Sequence, residues 1–231
     1  MKFTIIGGDL QSLRIDLEKG ESVYADSGTL VSKDSTVIMT PRAVGGLLGM
    51  LERKATGATA LLTEFRARDG PGHMQVAGVF PGRIVPIELA DGERFAAERF
   101  AFLAAEESVK FDIHITNLSG GLFGGTGFVL QNFTGPGKVF IHITGDMIIH
   151  NLDGTKEVEV DPSHVAGFDG TLSYKVRFVD NVKTAMFGGV GLFLATFSGR
   201  GRLITQTISR YKLAAELYSE GQEQVKGKSG R

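Results

Sequence analysis

The sequence predicts an all-β, mainly antiparallel domain: a β-sandwich or roll of three tandem repeats with approximate threefold symmetry. Three observations carry that expectation. A hairpin signature recurs three times, the strands within each copy alternate with period two, and helical periodicity is scarce. The repeats come first, because self-similarity at a fixed period decides the architecture before any single element does.

The hairpins read LLTEFRARDGPGHMQV, LQNFTGPGKVFI and LATFSGRGRLIT. Leu62 and Phe65 correspond to Leu130 and Phe133, then to Leu194 and Phe197. The turns Gly70-Pro71-Gly72, Gly135-Pro136-Gly137 and Gly199-Arg200-Gly201 align, with turn glycines 72, 137 and 201 spaced 65 and 64 residues apart. A second landmark precedes each hairpin: LRIDLEKGESVYADSGTLV, VPIELADGERFAAERFAFL and IHNLDGTKEVEVDPSHVA. Here Gly20, Gly92 and Gly154 match, followed by an acidic column of Asp26, Glu98 and Asp161. The first glycine interval is 72 residues against 62 for the second. The excess falls in PRAVGGLLGMLERKATG, read as an insertion carrying a short helix. The expected units are 1–80, 81–143 and 144–210, in one domain over 1–215 followed by a polar tail over 216–231.

Strand character follows from periodicity. SVKFDIHI sets Val109, Phe111, Ile113 and Ile115 against Lys110, Asp112 and His114, the pattern of a strand with one buried face. LSYKVRF does the same. KVFIHITGDMIIHNL is apolar on both parities, so its strands are expected to be covered on both sides. Helix is expected only near GMLERK and in RYKLAAELYSEGQ.

Composition narrows the function classes. The 231 residues include 32 glycines, about twice the usual share, with no collagen-like period, which fits many turns and bulges. The 25 basic and 26 acidic residues nearly cancel, giving a net charge of −1. A nucleic-acid binder usually shows a basic excess or stripe, so nucleic acid is not the expected partner. With no cysteine there is no disulfide framework, thiol nucleophile or Cys-ligated metal. The start MKFTIIGGD lacks an apolar signal core, and no window approaches the length of a membrane-spanning helix. A cytoplasmic location, with peripheral membrane contact allowed, is the expectation.

With the repeats laid out, the chain resembles the mitochondrial-biogenesis family named for altered inheritance of mitochondria protein twenty-four, over roughly Met1 to Lys212. The resemblance rests on GGLFGGTGF and MFGGVGLFL, on the F-T/S-G-x-G turns and on PGRIVPIEL. It implies a mostly β fold like that of the tryptophan RNA-binding attenuation protein. It brings no established activity, catalytic residue or cofactor to carry over. The family's eukaryotic branch is associated with mitochondrial membranes. The absence of a transit-like start here points to a prokaryotic, cytoplasmic member.

Two sets of residues stand out as candidate sites. Each unit places large apolar residues beside paired glycines just ahead of a strand: Leu47 and Leu48, Leu122 and Phe123, Met186 and Phe187. Such pairs either plug the core or gather at the pseudo-axis as one apolar contact surface, for a homo-oligomer (trimer or multiple), a protein partner or a membrane. The second set is the basic column after the tight turns, His73, Lys138 and Arg202 with Arg200 inside the third turn. It reads as solvated charge at strand starts or, alternatively, as a ring of anion- or nucleic-acid-binding turns.

An enzyme is not expected. His73, His114, His142, His150 and His164 show no metal-ligand spacing, with His142 and His150 read as core or edge residues. The acidic column is assigned to turn hydrogen bonds, and no catalytic, cofactor-binding or metal-binding residue is assigned. GQEQVKGKS imitates a phosphate-binding loop but has five residues between its glycines instead of four, and lies at the end of the sequence.

Overall fold

The computed structural model describes residues 1–42, 62–116, 128–178 and 193–218. Period-two sequence becomes strand throughout. The first segment supplies β1 (Lys2–Ile6), β2 (Ser12–Leu17), β3 (Ser22–Asp26), β4 (Leu30–Lys33), β5 (Val37–Arg42), β6 (Leu62–Ala67) and β7 (Gly72–Ala77). The second supplies β8 (Gly82–Leu89), β9 (Arg94–Glu98), β10 (Phe102–Glu106), β11 (Lys110–Thr116), β12 (Phe128–Thr134) and β13 (Gly137–Thr144). The third supplies β14 (Met147–Asp153), β15 (Val158–Val160), β16 (Val165–Asp169), β17 (Leu172–Phe178) and β18 (Phe193–Gln206). A helix over 210–218, α1, follows, where RYKLAAELY showed helical periodicity. It takes in 216–218, which the sequence assigned to the polar tail. The insertion around GMLERK lies outside the described residues.

The same ladders form in each segment. The strand before the landmark glycine pairs antiparallel with the strand after the tight turn: β2 with β7, β8 with β13, β14 with the second half of β18. The strand before the tight turn pairs on one side with β5, β11 or β17 and on the other with β3, β9 or β15. A register shift recurs where β4, β10 and β16 meet β7, β13 and β18. Gly20, Gly92 and Gly154 occupy the left-handed region at φ 92°, 76° and 90°, a conformation that costs glycine little and other residues a clash at Cβ.

Neighbouring segments are stitched edge to edge, β3 to β10 and β9 to β16. This yields a four-stranded sheet β1-β2-β7-β4, a six-stranded sheet β5-β6-β3-β10-β13-β8, and a third sheet β11-β12-β9-β16-β18-β14 with β15 and β17 also on β18. Pairing is antiparallel apart from a parallel bridge between Leu10 and Gly82.

Among the described residues three apolar clusters fill the layers. One packs Leu13, Ile15 and Met74 against Val23, Phe65 and Phe140. The next joins Val139, Ile141 and Phe102 to Phe95, Phe133 and Ile204. The third joins Leu130 and Leu203 to Leu172 and Phe197. The six-stranded sheet is thus buried on both faces, which explains the doubly apolar β13, buried from Val139 to Thr144. The rest of that run departs from expectation: Met147, Ile148 and Ile149 of β14 are 36%, 47% and 46% exposed. Among the described residues β14 is the last strand of its sheet, with β18 on one side and no strand on the other.

Candidate functional site

The registers sort the candidate residues to opposite ends of the strands. In each segment the strand that leads into the tight turn begins at the hairpin connection 43–61, 117–127 or 179–192. The acidic column lies at that beginning: Asp26 is opposite Leu62, Glu98 opposite Leu130, and Val160, next to Asp161, opposite Ala195. The two seams keep the segments in the same sense, Ala25 against Ala104 and Ala97 against Gly167. All three connections therefore leave from one end, and all three tight turns lie at the other. Leu47, Leu48, Leu122, Phe123, Met186 and Phe187 belong to those connections and lie outside the described residues.

At the turn end, His73, Lys138 and Arg202 are already engaged. The His73 amide donates to Asp34 Oδ2 at 2.9 Å, the Lys138 amide to Glu106 Oε2 at 2.9 Å, and the Arg202 amide to Asp169 Oδ2 at 2.8 Å. The side chains follow suit. His73 Nδ1 lies 2.6 Å from Asp34, Lys138 Nζ 3.3 Å from Glu88, and the Arg202 fork grips Asp169 at 2.9 and 3.0 Å. Hydrogen bonding from the His73 amide holds the Asp34 carboxyl below its ordinary value. Arg200 is exposed, across the ladder from Asp153, while its carbonyl accepts from Thr171. The amides that would cradle an anion hold protein carboxylates instead, so this geometry favours structural turns over a ring of anion sites. A surface cleft of about 590 Å³ beside Arg202 is lined by Glu93 and Arg94 together with the same Asp169.

At the connection end, the acidic column does one job three times. Asp26 accepts from the Gly28 amide at 2.8 Å, Glu98 from the Phe100 amide at 2.8 Å, and Asp161 from the Ser163 amide at 2.9 Å. Each carboxylate caps the turn that follows its strand, as the sequence reading assigned.

Around Glu98 the turn has grown into a buried cluster. Glu98 is 6% exposed, and burial pushes its carboxyl up to about 7 against the pull of the Phe100 amide, Arg210 and Arg99. Arg210 comes from the start of α1, more than a hundred residues away in sequence. Its guanidinium lies 4.2 Å from the Phe100 ring centroid and 5.0 Å from that of Phe80. Arg99 covers Phe100 at 4.1 Å. Burial and the Glu98 charge raise the Tyr211 hydroxyl to about 12. Asp161 holds Lys212 Nζ at 2.9 Å, and His164 Nδ1 contacts the Gln206 carbonyl at 2.8 Å.

His142 is a core residue, 3% exposed, and burial first, then Arg210, lowers it to about 4. His150 bonds Thr205 Oγ1 at 3.0 Å. Among the described residues no three His, Asp or Glu side chains converge as metal ligands. Nor is any described helix long and apolar enough to cross a membrane. Glu98 can accept a proton near neutrality, but its enclosure by Phe100, Arg210 and Tyr211 makes it a latch for α1. Sequence reading missed this cluster because its halves, ERF at 98–100 and SRY at 209–211, are adjacent only in the fold.

Known proteins share this architecture. A family profile described as Mitochondrial biogenesis AIM24 matches residues 3–208. An uncharacterized protein of Streptococcus pyogenes serotype M6 is 27% identical over 225 residues, covering 94% of this chain and 90% of the relative. A crystal structure of a Streptococcus pyogenes protein superposes with a TM-score of 0.80 at 25% identity, covering 95% of this chain and 99% of the other. With the profile spanning nearly all its strands, the chain belongs to the mitochondrial biogenesis AIM24 family.

Proposed function

We propose that the protein is a non-catalytic, self-assembling scaffold or adaptor. Its contact surface is the strand end that carries the three glycine-flanked apolar connections. The observation that supports this reading is the shared direction of the hairpins, with β5–β6, β11–β12 and β17–β18 all opening at one end. The sequence puts two large apolar residues in each connection, and burying each contributes about 1.5–3 kcal/mol. A homo-oligomer, a trimer or larger ring, uses that surface between copies. A peripheral membrane or protein contact in the cytoplasm is the same surface used differently.

The recurring ladders and register shifts support reading the chain as three copies of one unit about a pseudo-threefold axis, as in the tryptophan RNA-binding attenuation protein fold. Acidic substitution of Phe123 and Phe187 tests the proposal. In a protein that keeps its circular dichroism, assembly or vesicle binding is lost. If both are unchanged, the scaffold surface is not there.

A further inference from the structure

We propose that the outer edge of β14 is a self-association surface. A second copy of this chain adds there, β14 against β14 across a twofold axis, so that the third sheet continues into the partner. The inference rests on the self-assembly reading above and adds to it a surface among the described residues, remote in sequence from the apolar connections.

β2, β8 and β14 hold equivalent places, each paired with the strand after its tight turn. The outer edge of β2 is closed by β1 over five residue pairs, from Lys2 opposite Asp16 to Ile6 opposite Ser12. That of β8 is met by the loop before β2. Gly82 donates to the Asp9 carbonyl at 2.7 Å and accepts from the Gln11 amide at 3.3 Å, and the Ile84 amide donates to Gln11 Oε1 at 2.7 Å. Among the described residues nothing pairs with the outer edge of β14, the end of its sheet. Ile148 and Ile149 are adjacent, so they stand on opposite faces of the strand, and both are about half exposed.

An exposed apolar edge is a template for another strand, and proteins that must stay apart guard their edges with charge or proline. Among the described strands, most other edges carry charge or proline: β4 ends in Lys33, and β1, short and charged only at Lys2, is the barest of them. β5 ends in Pro41 and Arg42, β11 carries Lys110 and Asp112, β15 has Glu159 at its centre, and β17 carries Lys175 and Arg177. From Met147 to Leu152, β14 has no Lys, Arg, Asp or Glu.

The same contrast selects the occupant. In an antiparallel self-pair, residues of one segment face residues of the same segment, and like charges across a ladder are destabilising. β17 paired with itself crowds Lys175 and Arg177 together. β14 paired with itself about His150 sets Asp153 across from the partner subunit's Met147 and His150 across from the partner subunit's His150, and brings no Lys, Arg, Asp or Glu opposite its like. A twofold contact is self-complementary and closed, so it uses up both bare edges.

The test is light scattering on the native protein, Ile148→Lys and Phe123→Asp, with circular dichroism as the fold check and hydrogen–deuterium exchange of the β14 amides. The expected native mass is an even multiple of one chain. Ile148→Lys halves it with the fold retained, and the β14 amides lose protection on dilution of the native protein. An assembled native protein whose mass survives Ile148→Lys but falls with Phe123→Asp overturns the edge pairing and leaves the scaffold reading standing. A native protein of single-chain mass overturns both. Unchanged mass with loss of sedimentation on phosphatidylglycerol-containing vesicles in Ile148→Lys makes the edge a lipid contact and also overturns the pairing. If Ile148→Lys does not fold, native β14 amides that exchange freely at every concentration overturn it.

Discussion

The imidazole of His142 occupies the space that a side chain on Gly78 would need: a Cβ there would run into the ring Cδ2. The link between the first two segments thus packs its backbone onto a buried histidine, and a Cβ on Gly82 would run into the Ile143 carbonyl. Gly78→Ala is expected to overpack the site and cost about 1–3 kcal/mol in urea unfolding. Gly70→Ala, with nothing within 4 Å of its Cβ, serves as the neutral control. Equal stability of the two variants contradicts the close packing.

Glu98 and His142 give the fold opposing pH dependences. Glu98 titrates near 7 in the fold against an ordinary 4.5, so its contribution is complete below about pH 4.5 and is lost as pH rises through 7. His142 titrates near 4 against 6.5, so its contribution is complete above pH 6.5 and is lost as pH falls through 4. Each shift corresponds to roughly 3 kcal/mol, and the slopes cancel between about pH 4.5 and 6.5. Glu98→Gln unmasks the histidine: between pH 4.5 and 6.5 its stability climbs more steeply than that of the native protein. Urea midpoints across that range check it, and parallel profiles contradict it.

The Asp161–Lys212 pair fastens α1 to the third segment. Asp161→Ala removes both the Ser163 cap and the Lys212 partner. The expected cost is about 1–2 kcal/mol, with faster amide exchange across 211–218. Unaltered exchange there means that the cluster around Glu98 and Phe100 holds the helix without this pair.

The native protein is expected to pass through heparin at low salt, because Asp34, Glu106 and Asp169 occupy the amides beside the basic column. Retention that falls steeply with salt is the contrary result.

Much of the fold was legible in the sequence because its signals are local. Gly20, Gly92 and Gly154 announce turns that need φ above zero, and alternation in SVKFDIHI and LSYKVRF announces half-buried strands. The capping role of Asp26, Glu98 and Asp161 was legible for the same reason: each bonds an amide two residues on. The exposure of β14 was not legible, since MIIHNL is as apolar as its covered neighbour β13 and sheet order alone separates them. Nor was the Glu98–Arg210 latch, whose partners meet only after all three segments are built. Arg99 and Arg210 look like surface charges in sequence, yet together they enclose an aromatic ring.

Solution mass tests the scaffold most directly. Light scattering on the native protein and on a Phe123→Asp, Phe187→Asp variant should give a multiple of the chain mass for the first. The second should fall to a smaller species with unchanged circular dichroism. A native protein of single-chain mass at every concentration, with no sedimentation on vesicles, contradicts a self-assembling scaffold.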